Sequence, residues 1–199
     1  MKITLWRILP LFLMGVCLIV ASARADSLEL KLTSGASTIT VFGTPCMAGT
    51  CVSFSGTVGA WTVNMTTGDS AGPSNPTMDL SVNVAVSGPT APLDVELSDS
   101  FTCAVTGCPT LGIAGTGGLG GNGSTITGAF LDTGNTLFAK TTPIKSSATS
   151  SSVSPYSLTE DAEFEVISGM VQGFEDLKIV PGPVQSVPEP SSLLLLGTG

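Results

Sequence analysis

The chain has 199 residues, room for one ordinary domain once its ends are set aside. Charged residues are only 11% and there are 24 Gly and 13 Pro, a balance that suits short strands joined by turns and predicts an all-β protein. No histidine is present, which excludes His-based triads and His-ligated metal or haem sites, and the net charge of -8 offers no cationic footprint for nucleic acid.

Lys2 and Arg7 precede an almost wholly apolar run over 8–20, and Ala21-Ser22-Ala23-Arg24-Ala25 supplies two overlapping small-x-small cleavage sites ending at Ala23 and Ala25. Residues 1–25 therefore read as a cleavable signal peptide, with the Sec machinery and signal peptidase as partners. As a helix the thirteen apolar residues reach about 20 Å, short of a hydrocarbon core of about 30 Å. Cys17 lacks the small residue before it that a lipoprotein signal needs, and it leaves with the leader. Four lysines (Lys31, Lys140, Lys145, Lys178) then face fifteen acidic residues, a net charge of -11.

The exported domain is expected over 26–180. Met78, Leu80, Val82, Val84 and Val86 alternate with Asp79, Ser81, Asn83, Ala85 and Ser87, the period-two pattern of a strand with one wet face. Leu28-Leu30-Leu32, Ile39-Val41 and Leu93-Val95-Leu97 repeat it, and 58–65, 124–131, 136–140, 160–167 and 174–180 complete about nine strands. A single antiparallel β-sandwich, jelly-roll-like or Ig-like, buries so many one-sided strands. The segments 112–123 and 146–154 are low in complexity and are expected as surface loops.

Four cysteines survive leader removal as Cys46-x4-Cys51 and Cys103-x4-Cys108. In an exported chain they read as two disulfides, with the local pairs favoured among three connectivities; a four-thiolate zinc site is the alternative. No cofactor or metal is expected.

Three further motifs have simpler readings. Gly115-Thr116-Gly117-Gly118-Leu119-Gly120 matches a dinucleotide turn but leads into a strand pattern where that chemistry needs a helix N-terminus, so a flexible loop is expected. Asp132-Thr133-Gly134 is similar to the Asp-Thr-Gly loop of aspartic proteases, yet no second copy supplies a facing carboxylate; a hairpin turn is expected. Glu160, Asp161, Glu163 and Glu165, with Glu175 and Asp176, lack EF-hand spacing for calcium and read as a solvated strand face. Asn64-Met65-Thr66 and Asn122-Gly123-Ser124 match the N-glycosylation pattern, which carries little weight for a bacterial export substrate.

The last segment, 181–199, runs from Pro181-Gly182-Pro183 through Val187-Pro188-Glu189-Pro190 and Ser191-Ser192 to Leu193-Leu194-Leu195-Leu196. It resembles the PEP-CTERM sorting signal, which joins such a tetrapeptide to a Leu/Gly-rich membrane helix and an Arg cluster. The resemblance implies processing by an exosortase-type protease, and the two prolines hold the peptide extended, as a protease cleft requires. Residues 193–199 reach only about 10 Å as a helix, so the signal is expected to continue past Gly199; a degenerate signal and free release is the alternative.

Residues 28–102 and 130–180 also resemble the globular region of a recurrent group of PEP-CTERM proteins, notably at Phe54-Ser55-Gly56-Thr57, Leu131-Asp132-Thr133-Gly134 and Pro155-Tyr156-Ser157-Leu158. The family association with exopolysaccharide and biofilm implies a non-enzymatic protein of the cell envelope or extracellular matrix, with exopolysaccharide as partner. The competing expectation is a glycan- or ice-binding module presenting a sheet face, with Thr38, Thr40, Thr125 and Thr127 as candidates and Trp61 and Tyr156 as the aromatics for sugar stacking. An enzyme, with Asp132 as its one concrete catalytic residue, is the third.

Overall fold

The computed structural model describes residues 27–47, 49–72, 76–144 and 149–182. Eleven strands and no helix occur among them: β1 (Glu29–Ser34), β2 (Ser37–Phe42), β3 (Thr44–Cys46), β4 (Gly49–Val58), β5 (Trp61–Ala71), β6 (Thr77–Ser87), β7 (Leu93–Phe101), β8 (Thr110–Asp132), β9 (Thr142–Pro143), β10 (Thr149–Ser150) and β11 (Tyr156–Pro181). Every pairing is antiparallel, as the alternating apolar pattern predicts.

The sandwich is one hydrogen-bonded sheet folded over itself, in the order β2-β1-β7-β11-β6-β5-β4-β3, with β8 along the free side of β11. On one side, residues 156–164 of β11 pair with β7 and residues 170–179 pair with β6, while β8 follows nearly the whole strand on the other side. Register shifts between Val166, Ser168 and Gln172 put the bend there, where Gly169 adopts φ +76 and Gly121 opposite it φ +111. The bend turns β2-β1-β7 to face β3-β4-β5-β6. At the far side the chain crosses between the halves through Gly43, whose amide donates to the Leu28 carbonyl at 2.8 Å. A Cβ there would stand 2.6 Å from Thr50 and 2.9 Å from Leu28, so only glycine makes the crossing.

The core lies between the halves. Met78, Leu80, Val82, Val84 and Val86 of β6 are all buried, as are Leu28, Leu30, Leu32, Leu93, Val95 and Leu97 opposite them. Trp61 and Phe164 meet across it with ring centroids 6.3 Å apart, and the indole Nε1 donates to the Ala91 carbonyl at 2.8 Å. Gly68 of β5 sits directly against Leu97 of β7, which holds the two halves at close range.

Four expectations are corrected. Segment 112–123 is not a loop but the first half of β8: several of its glycines stand across from bulky or extended side chains, Gly115 from Leu177, Gly117 from Glu175 and Gly118 from Phe174. A Cβ on Gly117 would collide with the Glu175 carboxylate, so the glycine content is a fit to the neighbouring strand. Residues 136–140 form no strand and fold as a loop, and the short β9 pairs with Phe130 and Leu131 on the side away from β11. Segment 58–65 is interrupted by the Gly59-Ala60 turn between β4 and β5, with Gly59 at φ +58. The two strands expected over 160–167 and 174–180 are one bent strand. Within 146–154, residues 149 and 150 form β10, and 146–148 lie outside the described residues.

Gly68→Val should overpack the Leu97 contact and lower stability by about 1–3 kcal/mol in urea unfolding, whereas Gly118→Ala, whose Cβ would meet nothing nearer than 4.0 Å, should lose less.

Candidate functional site

The outer faces of the two halves differ in what covers them. Over the β1-β7-β11 half lies the 133–141 loop: Phe138 N donates to Ser98 Oγ at 3.1 Å, Ser157 Oγ donates to the Thr136 carbonyl at 2.8 Å, and the Lys31 ammonium sits 4.4 Å from the Phe138 ring centre. This loop carries Lys140 into a group of three carboxylates, 2.8 Å from Asp161, 3.2 Å from Glu96 and 3.7 Å from Asp94; Lys31 pairs with Glu96 as well. The carboxylates lie within 4.8 Å of one another, close enough for a metal site, but the chain's own ammonium is the cation among them. Burial, a hydrogen bond to Asp161 and its charge push Asp94 up to about 6. Burial opposes the charge on Lys140, yet the bond to Asp161 and the surrounding carboxylates raise it above the usual lysine range.

Asp132 is a turn residue. Its carboxylate accepts from Thr136 N at 2.8 Å and from Thr141 Oγ1 at 3.1 Å, and the Thr136 amide bond above all lowers its pKa. The carboxylate thus holds the turn between β8 and the covering loop together, as an Asx-type turn does.

The acidic stretch is not one solvated face. Glu160 and Glu175 point inward, and Glu160 is fully buried. Burial first, with the charges of Asp79 and Asp69, pushes the Glu160 carboxyl well above its ordinary range, against the opposing effect of the Ile179 backbone amide and, more weakly, of Lys178. Burial thus favours the protonated form of this carboxyl over the charged one. Asp161, Glu163, Glu165 and Asp176 lie outside the core.

No described loop covers the outer face of the other half, which is polar and built by alternation along 66–71 of β5, along β6 and along 171–179 of β11. Cross-strand partners share a face, so Asp69, Asp79 and Lys178 form one row across it, and Thr67, Ser81 and Asp176 the next. Lys178 Nζ donates to Asp79 at 2.9 Å. Asp69 opposes Asp79 directly, and burial followed by that like charge raises its pKa.

Among the described residues, two clefts on this half stand out. The first, about 480 Å³, is walled by Phe42 where the chain crosses from β2 to β3, with Thr44, Ser53, Thr67, Asp69 and Asp79 among its polar lining. The second, about 440 Å³, lies between Asn83, Gln172 and Phe174, with Gly118 and Gly120 keeping its β8 side low. Phe42 is 66% exposed and Phe174 51%.

Of the sequence-nominated residues, Cys46 and Cys51 form one disulfide and Cys103 and Cys108 the other, with Cα separations of 5.8 and 4.3 Å, so the favoured local pairing holds. The first pins the β3–β4 hairpin, and Cys51 itself lines the Phe42 cleft. Trp61 and Tyr156 are fully buried; Tyr156 stacks on Phe101 with centroids 6.1 Å apart, and burial pushes its hydroxyl up to about 12. The threonines do not form one array: Thr38 and Thr40 share the outward side of β1 with Thr33 and Lys31, whereas Thr125 and Thr127 share the side of Phe164 and Ala162. Ala23, Ala25 and Val187-Pro188-Glu189-Pro190 lie outside the described residues.

The exposed phenylalanines carry a sequence signal. Phe42 follows inward-phased Ile39 and Val41, and Phe174 shares the phase of Gln172, Asp176 and Lys178, so each is an aromatic residue on the water-facing phase of its strand.

Comparison with protein-family models, curated proteins and solved structures returns no match for this chain.

Two outcomes follow from the charges. Glu160 binds its proton more tightly folded than unfolded, so its stabilising contribution is complete below about pH 4.5 and is lost as pH rises toward its folded pKa. Glu160→Gln should therefore melt progressively higher than wild type from pH 4.5 to pH 8, measured by thermal unfolding. Lys140→Met, which leaves Asp94 and Asp161 without their cation while Glu96 keeps Lys31, should cost about 1–2 kcal/mol at pH 7 in denaturant unfolding, a loss that shrinks below pH 6 as Asp94 takes up a proton.

Proposed function

We propose that this chain is an exported, non-enzymatic protein of the cell envelope or extracellular matrix, carrying a PEP-CTERM-type sorting tail. The observation that carries the reading is the pair of closed local disulfides, Cys46–Cys51 and Cys103–Cys108. Such bonds persist where the compartment is oxidising and are rare in the reducing cytosol. Each closes a short loop, and a ring of about six residues contributes about 2 kcal/mol in the loop-entropy account, useful to a domain exposed outside the cell. The leader over 1–25 and the Val187-Pro188-Glu189-Pro190 tail supply a route in and a sorting step, through the Sec machinery, signal peptidase and an exosortase-type protease.

The non-enzymatic part of the reading is supported by the engagement of each acidic candidate elsewhere: Asp132 in its turn, Asp94, Glu96 and Asp161 with Lys140, and Glu160 in the core. A glycan-binding reading is favoured over an ice-binding one, since two aromatic-walled clefts line a bare polar face and the threonines are divided between faces.

A full-length protein tagged within the Gly88–Pro89 turn should be recovered from the envelope or matrix fraction with its cysteines oxidised. Deleting the exosortase-type protease of the producing cell should change its size or its partition between fractions. Recovery from the cytosol with free thiols would overturn export, and unchanged size and location in the deletion strain would overturn the sorting step.

A further inference from the structure

We infer that the bare face of the β3-β4-β5-β6-β11 half is a binding groove for an uncharged polysaccharide strand, with Phe42 and Phe174 as its two stacking platforms. The inference rests on the reading of an envelope or matrix protein, where such polymers are met, and adds the site and the class of ligand to it.

The chemistry of the two clefts is the same. Each pairs one exposed aromatic ring with short polar side chains: Phe42 with Asp69, Asp79 and hydroxyls, Phe174 with Asn83 and Gln172. A pyranose ring has an apolar C–H face and an equatorial rim of hydroxyls. An aromatic wall receives the first, and carboxylate, amide and hydroxyl groups receive the second. The two phenylalanines are half or more exposed.

Charge selects the polymer. Asp69, Asp79 and Asp176 stand on this face against Lys178 alone among its described basic residues, in a chain of net charge -8. A polyanion, such as a uronate polymer or a nucleic acid, would meet repulsion. A neutral sugar supplies hydroxyl donors to the carboxylates at no such cost.

Register sets the length. Asp79 in the first cleft and Asn83 in the second are four residues apart on β6, about 13 Å along the strand. Ser53 on β4 and Phe174 on β11 are three strand spacings apart, about 14 Å across. Ser81 and Asp176 fill the surface between the clefts with groups that reach a passing hydroxyl. A single sugar therefore occupies one cleft, and a chain of several lies diagonally across both. Linking two weak sites on one ligand raises affinity without any new contact.

The test is titration calorimetry on the full exported chain with disulfides intact, using neutral hexasaccharides (β-glucan, α-glucan, mannan and N-acetylglucosamine series), the matching disaccharides, and a glucuronate hexasaccharide. At least one neutral hexasaccharide should bind about tenfold or more tightly than its disaccharide. Phe42→Ala or Phe174→Ala should each weaken that hexasaccharide about three- to tenfold and erase most of the length dependence. Phe→Leu variants, which keep the bulk without the ring, separate loss of stacking from loss of folding and should weaken binding similarly while melting like wild type. Absence of binding across the neutral panel, equal binding of the glucuronate hexasaccharide, or wild-type affinity in the Phe42→Ala/Phe174→Ala double variant would each overturn the groove. A matrix-located protein that fails the titration loses the groove and keeps the proposed location; one that binds neutral hexasaccharides from the cytosolic fraction loses the location alone.

Discussion

The fold depends on one pairing, that of β8 with β11. These strands, of 23 and 26 residues, run together for almost their whole length and bend at the register shifts beside Ser168. Because the same strand pairs with β7 before the bend and β6 after it, its direction of turning decides that the two halves face each other. A sandwich of two separate sheets relies on side-chain packing alone to hold its layers. Here backbone hydrogen bonds continue from one layer into the other, and the Gly68–Leu97 contact and the Trp61–Phe164 pair close the space between them.

Glycine makes that ribbon feasible. The β8 side of the bend carries small residues where β11 carries Leu177, Glu175 and Phe174, so the two strands complement each other in size. The same composition leaves the second cleft open beside Phe174, where a larger side chain at position 118 or 120 would rise into it. One compositional choice thus serves both the bend and the surface.

The polar surface is divided in a consistent way. Over one half, the 133–141 loop brings Lys140 and Phe138 down onto acidic residues, and the face is consumed internally. Over the other half no described loop does so, and the outward residues of β5, β6 and β11 remain available with an aromatic wall at each end. The asymmetry, more than any single residue, directs attention to the second half. Glu160 is the exception to tidy partition: a carboxyl placed in the core makes the fold less stable as pH rises above the ordinary carboxyl range, by desolvation.

Much of the architecture was legible in the sequence, for a local reason. Period-two alternation records which side of a strand meets water, and it identified β1, β2, β6 and β7, the all-β class and the antiparallel arrangement. The short cysteine spacing likewise favoured the local disulfides, since close residues meet without help from the rest of the chain. What sequence alone left wrong or open depends on partners distant in the chain. A glycine-rich run reads as a loop until a strand some fifty residues later supplies the bulky side chains that fit it. Trp61 and Tyr156 read as surface aromatics until two sheet halves close over them, and Glu160 reads as solvated by its acidic neighbours until its strand turns it inward. The alternation along the chain set each side chain's phase; the folding of one sheet over itself decided which phases became core, which were covered by a loop, and which stayed open to solvent.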